Sequence, residues 1–166
     1  FEGKVEVKIF SKNPIKNKQV AVRPQVYAIQ PVVQGDTMFL TLEKPSKLSI
    51  EVNGDRFQNL HLFTNHPPRN KPNVNDPNVV YFGPGLHTIT ENNKRLYAKS
   101  NQHIYIDAGA VLRGFIRLKN VENVTISGHG VLDASFEEFE SWGTYTFELE
   151  ASKHITIQDV HVIKKI

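Results

Sequence analysis

The chain has 166 residues, 39% of them apolar and 22% charged, with a formal net charge of +3. This balance fits one ordinary soluble domain, or a small domain plus part of another, and excludes a disordered chain. No apolar run approaches the roughly 18 residues needed to span a bilayer, and the absence of cysteine excludes disulfide scaffolds, Cys-ligated zinc and thiol nucleophiles. The basic residues are scattered among acids, the densest run being "NPIKNKQ" at 13–19. Nucleic-acid proteins concentrate such charge on one face or in one run, so no nucleic-acid partner is expected.

From the N-terminus, "VEVKIF" (5–10), "QVAVRP" (19–24), "TMFLTLE" (37–43) and "KLSIEVNGD" (47–55) alternate apolar and polar residues. A period of two predicts half-buried strands. "VQGDT" and "NGD" predict turns, because Gly takes positive φ and Asn or Asp bonds back to the backbone. Several short strands within 58 residues predict a small β-sandwich over 1–58. The composition then shifts. "TNHPPRNKPNVNDPN" (64–78) is dense in Pro and Asn, and Pro cannot donate to a ladder, so 59–78 is expected to be a linker or exposed loop.

An internal repeat follows. "HIYIDAGAVLRG" from His103, "NVTISGHGVLDA" from Asn123 and "HITIQDVHVIKK" from His154 align without gaps. The alignment matches Ile104, Val124 and Ile155, then Ile106, Ile126 and Ile157. It next matches Val111, Val131 and Val162, then Leu112, Leu132 and Ile163. "VYFGPG" from Val80 matches "IYIDAG" from Ile104 as a weaker copy. "SFEEFESWGTY" (135–145) reads as an insertion of roughly ten residues before the last copy. Repeats of this length with short strands and no helical half predict a parallel β-helix over 79–166, one coil per repeat. A second sandwich with regular hairpins is the alternative. The chain opens at Phe1 without the n-region or h-region of a signal peptide, and "HITIQDVHVIKKI" is strand-like to its end. A processed chain or a piece of a longer one is therefore expected.

"VVYFGPGLHTI", "IYIDAGAVLRGFI" and "NVTISGHGVLDAS" resemble the opening of the β-helix in the pectin-lyase-like glycoside hydrolases. The similarity is closest to the dextranase and isopullulanase group (family 49) and extends to the polygalacturonase group (family 28). The resemblance implies an all-β chain: a small N-terminal β-sandwich followed by the first coils of a right-handed parallel β-helix. It also implies a secreted or periplasmic parent enzyme hydrolysing O-glycosidic bonds of a polysaccharide by inversion, without a cofactor. Polygalacturonase-type enzymes share Asn-Thr-Asp, Asp-Asp, Gly-His-Gly and Arg-Ile-Lys. Of these only Gly-His-Gly occurs here, at 128–130 in an early coil. No catalytic residue is carried over, and the catalytic carboxylates are expected beyond Ile166. A polysaccharide lyase using a basic residue with Ca²⁺, and a non-catalytic sugar-binding or structural β-helix, are the other readings.

Inverting hydrolysis needs two carboxyl groups about 6.5–9.5 Å apart, one protonated and one ionised. Asp107 and Asp133 occupy different repeat positions and Asp159 falls in a turn, so they read as turn-capping or solvated groups. Glu137, Glu138 and Glu140 lie in the insertion with Phe136 and Phe139. Trp142 and Tyr145 are the best sugar-contact candidates, since flat aromatic faces stack on pyranose rings and inserted loops line β-helix grooves. No metal site is expected: His61 and His66 flank "LFTN" beside the linker, and no helix offers zincin spacing. The Gly-His-Gly reads as a coil corner rather than a catalytic site. The sequence does not specify an oligomeric state.

Overall fold

A computed structural model describes residues 1–68, 71–135 and 145–164. The chain is all-β and divides into two compact units, Phe1–Pro67 and Pro68–Ile166. Among the described residues no helix is long and apolar enough to cross a membrane.

The first unit holds β1 (Val5–Phe10), β2 (Val20–Arg23), β3 (Val32–Gln34), β4 (Thr37–Leu42), β5 (Lys47–Val52) and β6 (Leu60–Phe63). They form two three-stranded antiparallel sheets, ordered β1-β4-β3 and β2-β5-β6. The alternation seen in the sequence explains the core. Met38, Leu40 and Leu42 of β4 and Leu48 and Ile50 of β5 turn inward and join Ile15 and Val22 in one apolar cluster fed by both sheets. β3 and β6 were not marked by the alternation. β6 lies inside the segment expected to be linker, and pairs with β5 from Leu60↔Ile50 to Phe63↔Lys47. Its exposed side chains hide the period of two.

The second unit is a stack of coils with parallel pairing throughout. The first coil has β7 (Val79–Phe82), β8 (Gly85–Thr88) and β9 (Arg95–Tyr97). The second has β10 (His103–Ile106), β11 (Ala110–Arg113) and β12 (Phe115–Lys119). The third has β13 (Glu122–Ser127), β14 (Val131–Asp133) and β15 (Phe147–Glu150), and the last has β16 (Lys153–Ile157) and β17 (His161–Ile163). Three parallel sheets result, ordered β16-β13-β10-β7, β17-β14-β11-β8 and β15-β12-β9. This is a parallel β-helix. Ile104, Ile106, Leu112, Ile116, Leu118, Val124, Ile126 and Leu132 are completely buried in one cluster along its axis. Each such side chain contributes about 1.5–3 kcal/mol on leaving water.

The register corrects the sequence alignment in two places. Ile104 stacks on Ile126, not on Val124, and Leu132 stacks on Val162, not on Ile163. The first difference arises in the corner between the first and second sheets. Tyr105 stacks on Ser127 and Val111 on Val131. Between these matched pairs the second coil has five residues, 106–110, and the third only three, 128–130. The shorter corner cuts across its predecessor. A Cβ at Gly128 would overlap the Ile106 carbonyl oxygen and sit 2.7 Å from its carbon, and φ there is +120°. A Cβ at Gly130 would overlap the Ile106 side chain and lie 2.6 Å from the Asp107 carbonyl oxygen. Only glycine fits at either position. The Gly130 amide donates to the Ile106 carbonyl at 2.9 Å, so the Gly-His-Gly segment is the bond that ties two coils at the corner. The insertion leaves from another corner, between β14 and β15, where the second coil has the single residue Gly114.

Candidate carbohydrate-contact face

The third strand of each coil, which the repeat alignment did not mark, builds this face. In β12 and β15, Ile116, Leu118 and Phe147 join the core, so the alternate residues Arg117, Lys119, Glu148 and Glu150 point outward. Parallel pairing brings Tyr97, Arg117 and Glu148 into one row across three coils, and Lys119 and Glu150 into the next.

Charge complementarity closes both rows. Arg95 Nε donates to Glu148 Oε1 at 3.0 Å, and Arg117 Nη1 to Glu148 Oε2 at 3.1 Å. Arg117 Nη2 donates to Glu150 Oε2 at 2.9 Å, while Lys119 Nζ lies 2.8 Å from Glu150 Oε1. The hydrogen bond from Lys119, followed by that from Arg117, holds the Glu150 carboxyl below its ordinary range. The hydrogen bond to Glu150 outweighs desolvation and raises Arg117. Arg117 also lies 5.9 Å from the centroid of the Tyr97 ring. Tyr145, Arg117, Phe147, Glu148, Leu149 and Glu150 line an open cleft of about 550 Å³. Tyr145 is 62% exposed, with Lys164 Nζ 5.8 Å from its ring centroid. Such a cleft combines an aromatic face with fixed donors and acceptors, which suits a hydroxyl-rich ring.

Trp142, Phe136, Phe139, Glu137, Glu138 and Glu140 lie outside the described residues. Asp133 sits on β14 opposite Arg113, whose Nε is 3.2 Å from Asp133 Oδ2, and the Ser135 hydroxyl and amide donate to Oδ1 at 2.6 and 2.9 Å. Desolvation pushes its carboxyl up, but the Ser135 and Arg113 contacts prevail and the net shift is downward. Asp107 follows the same pattern. Burial opposes ionisation, and Lys71 Nζ at 2.6 Å, the Tyr81 hydroxyl at 2.6 Å and the Ala108 amide overcome it. Asp159 occupies the corner after β16 with φ 61°. None of these three aspartates lines the Tyr145 cleft. His61 packs its ring against Phe63, and among the described residues no group of three or more His, Asp or Glu is placed to hold a metal.

Sequence reasoning missed a second cluster, on the outer face of the first sheet. Tyr81 and Tyr105 stack at 6.1 Å, His103 meets Tyr105 edge-on at 5.8 Å, and His103 Nε2 is 2.7 Å from Ser127 Oγ. The Tyr105 hydroxyl is buried without a protein partner. Burial raises the Tyr105 phenol and lowers the His103 imidazole. The signal was present: Tyr81 and Tyr105 alternate with apolar residues of the repeat, and His103 and Ser127 flank such residues.

With this geometry in hand, the fold has a solved counterpart. It is similar to Dex49A from Penicillium minioluteum. The match covers 95% of this chain and 41% of that one, with a TM-score of 0.66 and 14% sequence identity. At that identity the likeness shows the fold, and this chain spans about two fifths of that protein's length. No protein-family model matches the sequence. No curated protein matches it either.

Proposed function

We propose that this chain forms the first sheets and coils of a secreted polysaccharide-degrading protein that hydrolyses O-glycosidic bonds by inversion. Its own part is to hold the glycan against the third sheet. The observation that carries this reading is the cleft in which exposed Tyr145 stands beside Arg117, Glu148 and Glu150. The fold likeness to Dex49A supports it, as does the sequence resemblance to β-helix glycoside hydrolases. The carboxylates here serve binding rather than acid catalysis. Glu150, Asp107 and Asp133 are all held below their ordinary range, whereas a general acid must be pushed up. We take the paired catalytic carboxylates to lie in other parts of the parent protein, as the sequence resemblance implies.

The test is affinity electrophoresis of the whole chain through dextran, pullulan and polygalacturonate, with reducing-sugar release measured alongside. We expect retardation by at least one polymer. Tyr145→Ala should weaken it about fivefold, the loss of roughly 1 kcal/mol of ring stacking. No turnover is expected from this chain. Equal retardation of wild type and Tyr145→Ala would sink the cleft as the contact face. Turnover abolished by Asp133→Ala would place the chemistry in this chain after all.

A further inference from the structure

We propose that the first unit carries a second glycan-binding pocket, formed between the short turn after β2 and the β4–β5 loop. It lies within Phe1–Pro67 and shares no residue with the Tyr145 cleft. Its volume is about 450 Å³. One wall comes from residues 26–30, and the other from residues 41–44 and Ser46.

Local structure explains why these side chains face out. After Pro24 the chain makes one 3-10 turn, Gln25–Tyr27, which ends at Ala28 in the left-handed region with φ 52°. A non-glycine residue held there is strained and persists only where the surroundings impose it. The turn reverses the chain so that Ile29 packs against the core, while Val26 stays 82% and Tyr27 42% exposed. The opposite loop is pinned from behind. The Ser46 amide donates to Thr64 Oγ1 at 2.8 Å, the Thr64 amide donates to the Ser46 carbonyl at 3.0 Å, and the Ser46 hydroxyl donates to the Lys44 carbonyl at 3.1 Å. Both walls are thus set before any ligand arrives, which lowers the entropy cost of binding.

The chemistry of the lining selects the ligand class. Tyr27 and Val26 offer an apolar surface for the C–H face of a pyranose. Around it stand Gln30, Thr41, Glu43 and Lys44, all exposed. Lys44 Nζ lies 5.8 Å from the centroid of the Tyr27 ring, and Glu43 makes only a loose 3.5 Å pair with Lys4. A purely apolar ligand would strip water from Glu43 and Lys44 without replacing its hydrogen bonds. A polyanion would meet the Glu43 carboxylate. A neutral, hydroxyl-rich sugar satisfies both groups, as donor to Glu43 and acceptor from Lys44. The sugar class rests on the proposed function, but the residues do not.

The experiment is an amide-shift titration of the isotope-labelled whole chain with isomalto-, malto-, cello- and galacturono-tetrasaccharides. At least one neutral tetrasaccharide should give saturable shifts in residues 26–30 and 41–46. Tyr27→Ala should weaken that response about tenfold, Tyr27→Phe should retain it, and Tyr145→Ala should leave it unchanged. Lys44→Ala serves as a second probe should Tyr27→Ala disturb the turn. The proposal is overturned if no neutral tetrasaccharide moves these loops, if only galacturono-tetrasaccharide does, or if both substitutions titrate like the wild type. Shifts in these loops without any at Tyr145 would uphold this pocket and count against the third-sheet cleft. The converse pattern would do the opposite.

Discussion

The glycine pair of the Gly-His-Gly corner offers the sharpest quantitative test of the fold. In Gly128→Ala the new methyl group must occupy the space of the Ile106 carbonyl oxygen, at a φ of +120° that L-residues rarely adopt. The backbone conformation alone costs about 1–3 kcal/mol. Relieving the overlap means lifting β13 from β10, which breaks the 2.9 Å bond from the Gly130 amide to the Ile106 carbonyl. Leaving that buried acceptor unsatisfied adds about 1–3 kcal/mol. The expected total is roughly 4 kcal/mol, a large part of the 5–15 kcal/mol that holds an ordinary domain together. His129, half-buried between them, contributes no comparable constraint, and His129→Ala should cost no more than about 0.5 kcal/mol. Urea unfolding of the whole chain, followed by far-ultraviolet circular dichroism, measures both. Hydrogen exchange should locate the loss in residues 103–133. A wild-type midpoint for Gly128→Ala, or a larger loss for His129→Ala than for Gly128→Ala, would refute the claim that the motif is a shortened corner.

Further outcomes follow from the same geometry. Leu112→Ala, at a completely buried position, should lower stability by about 2–5 kcal/mol through lost transfer energy and the cavity left behind, read from the urea midpoint. Arg117→Ala removes two bonds, one to each of two carboxylates, but leaves Glu148 with Arg95 and Glu150 with Lys119. A lower midpoint is expected by thermal melting, with the loss shrinking in high salt. Asp133 also makes stability pH-dependent. Its folded carboxyl lies below the unfolded value, so its contribution is present above the unfolded value and fades as pH falls through the folded one. Wild type and Asp133→Asn should therefore differ in midpoint at neutral pH and begin to converge only as pH falls below about 4. A constant difference across that range would contradict the assignment.

The sequence displayed the inward half of the β-helix clearly, because Ile, Val or Leu holds most inward positions of the stacked coils. Val80 over Ile104, and Ile126 over Ile157, are legible from spacing alone. Register was harder to read, since coils may differ in length at the corners without disturbing the strands. The loss of two residues at 128–130 moved Ile104 onto Ile126 and was signalled only by two glycines. The third strand escaped notice for another reason. "RLY", "FIRLK" and "FELE" place Arg, Lys, Tyr and Glu outward, and the insertion separates the last copy from its predecessors. Tyr145 could be singled out as an aromatic residue at the end of that insertion. Its neighbours could not, because Arg117 and Glu148 meet only once both sides of the insertion have closed into one sheet.

That closure also constrains where chemistry can lie. On the strands of the second unit, every carboxylate is in register with a cation of the adjacent coil: Asp133 with Arg113, Glu148 with Arg117, Glu150 with Lys119 and Glu122 with Lys153. Parallel stacking makes this pairing effective, since opposite charges directly across a ladder attract and like charges repel. The same arrangement works against acid catalysis, because a cation in register favours the ionised form that a general acid must avoid. An inverting pair on such a scaffold needs outward carboxylates stacked on each other or on neutral groups, so that repulsion and desolvation raise one of them. Replacing a cation in the ladder should move its partner the same way. In Arg113→Gln the Asp133 carboxyl keeps the Ser135 bonds but loses its ionic partner, and its titration midpoint, followed by carboxyl-carbon resonance, should rise. A midpoint equal to that of the wild type would show that the Ser135 contacts alone hold Asp133 ionised, and that register with a cation is not what silences these carboxylates.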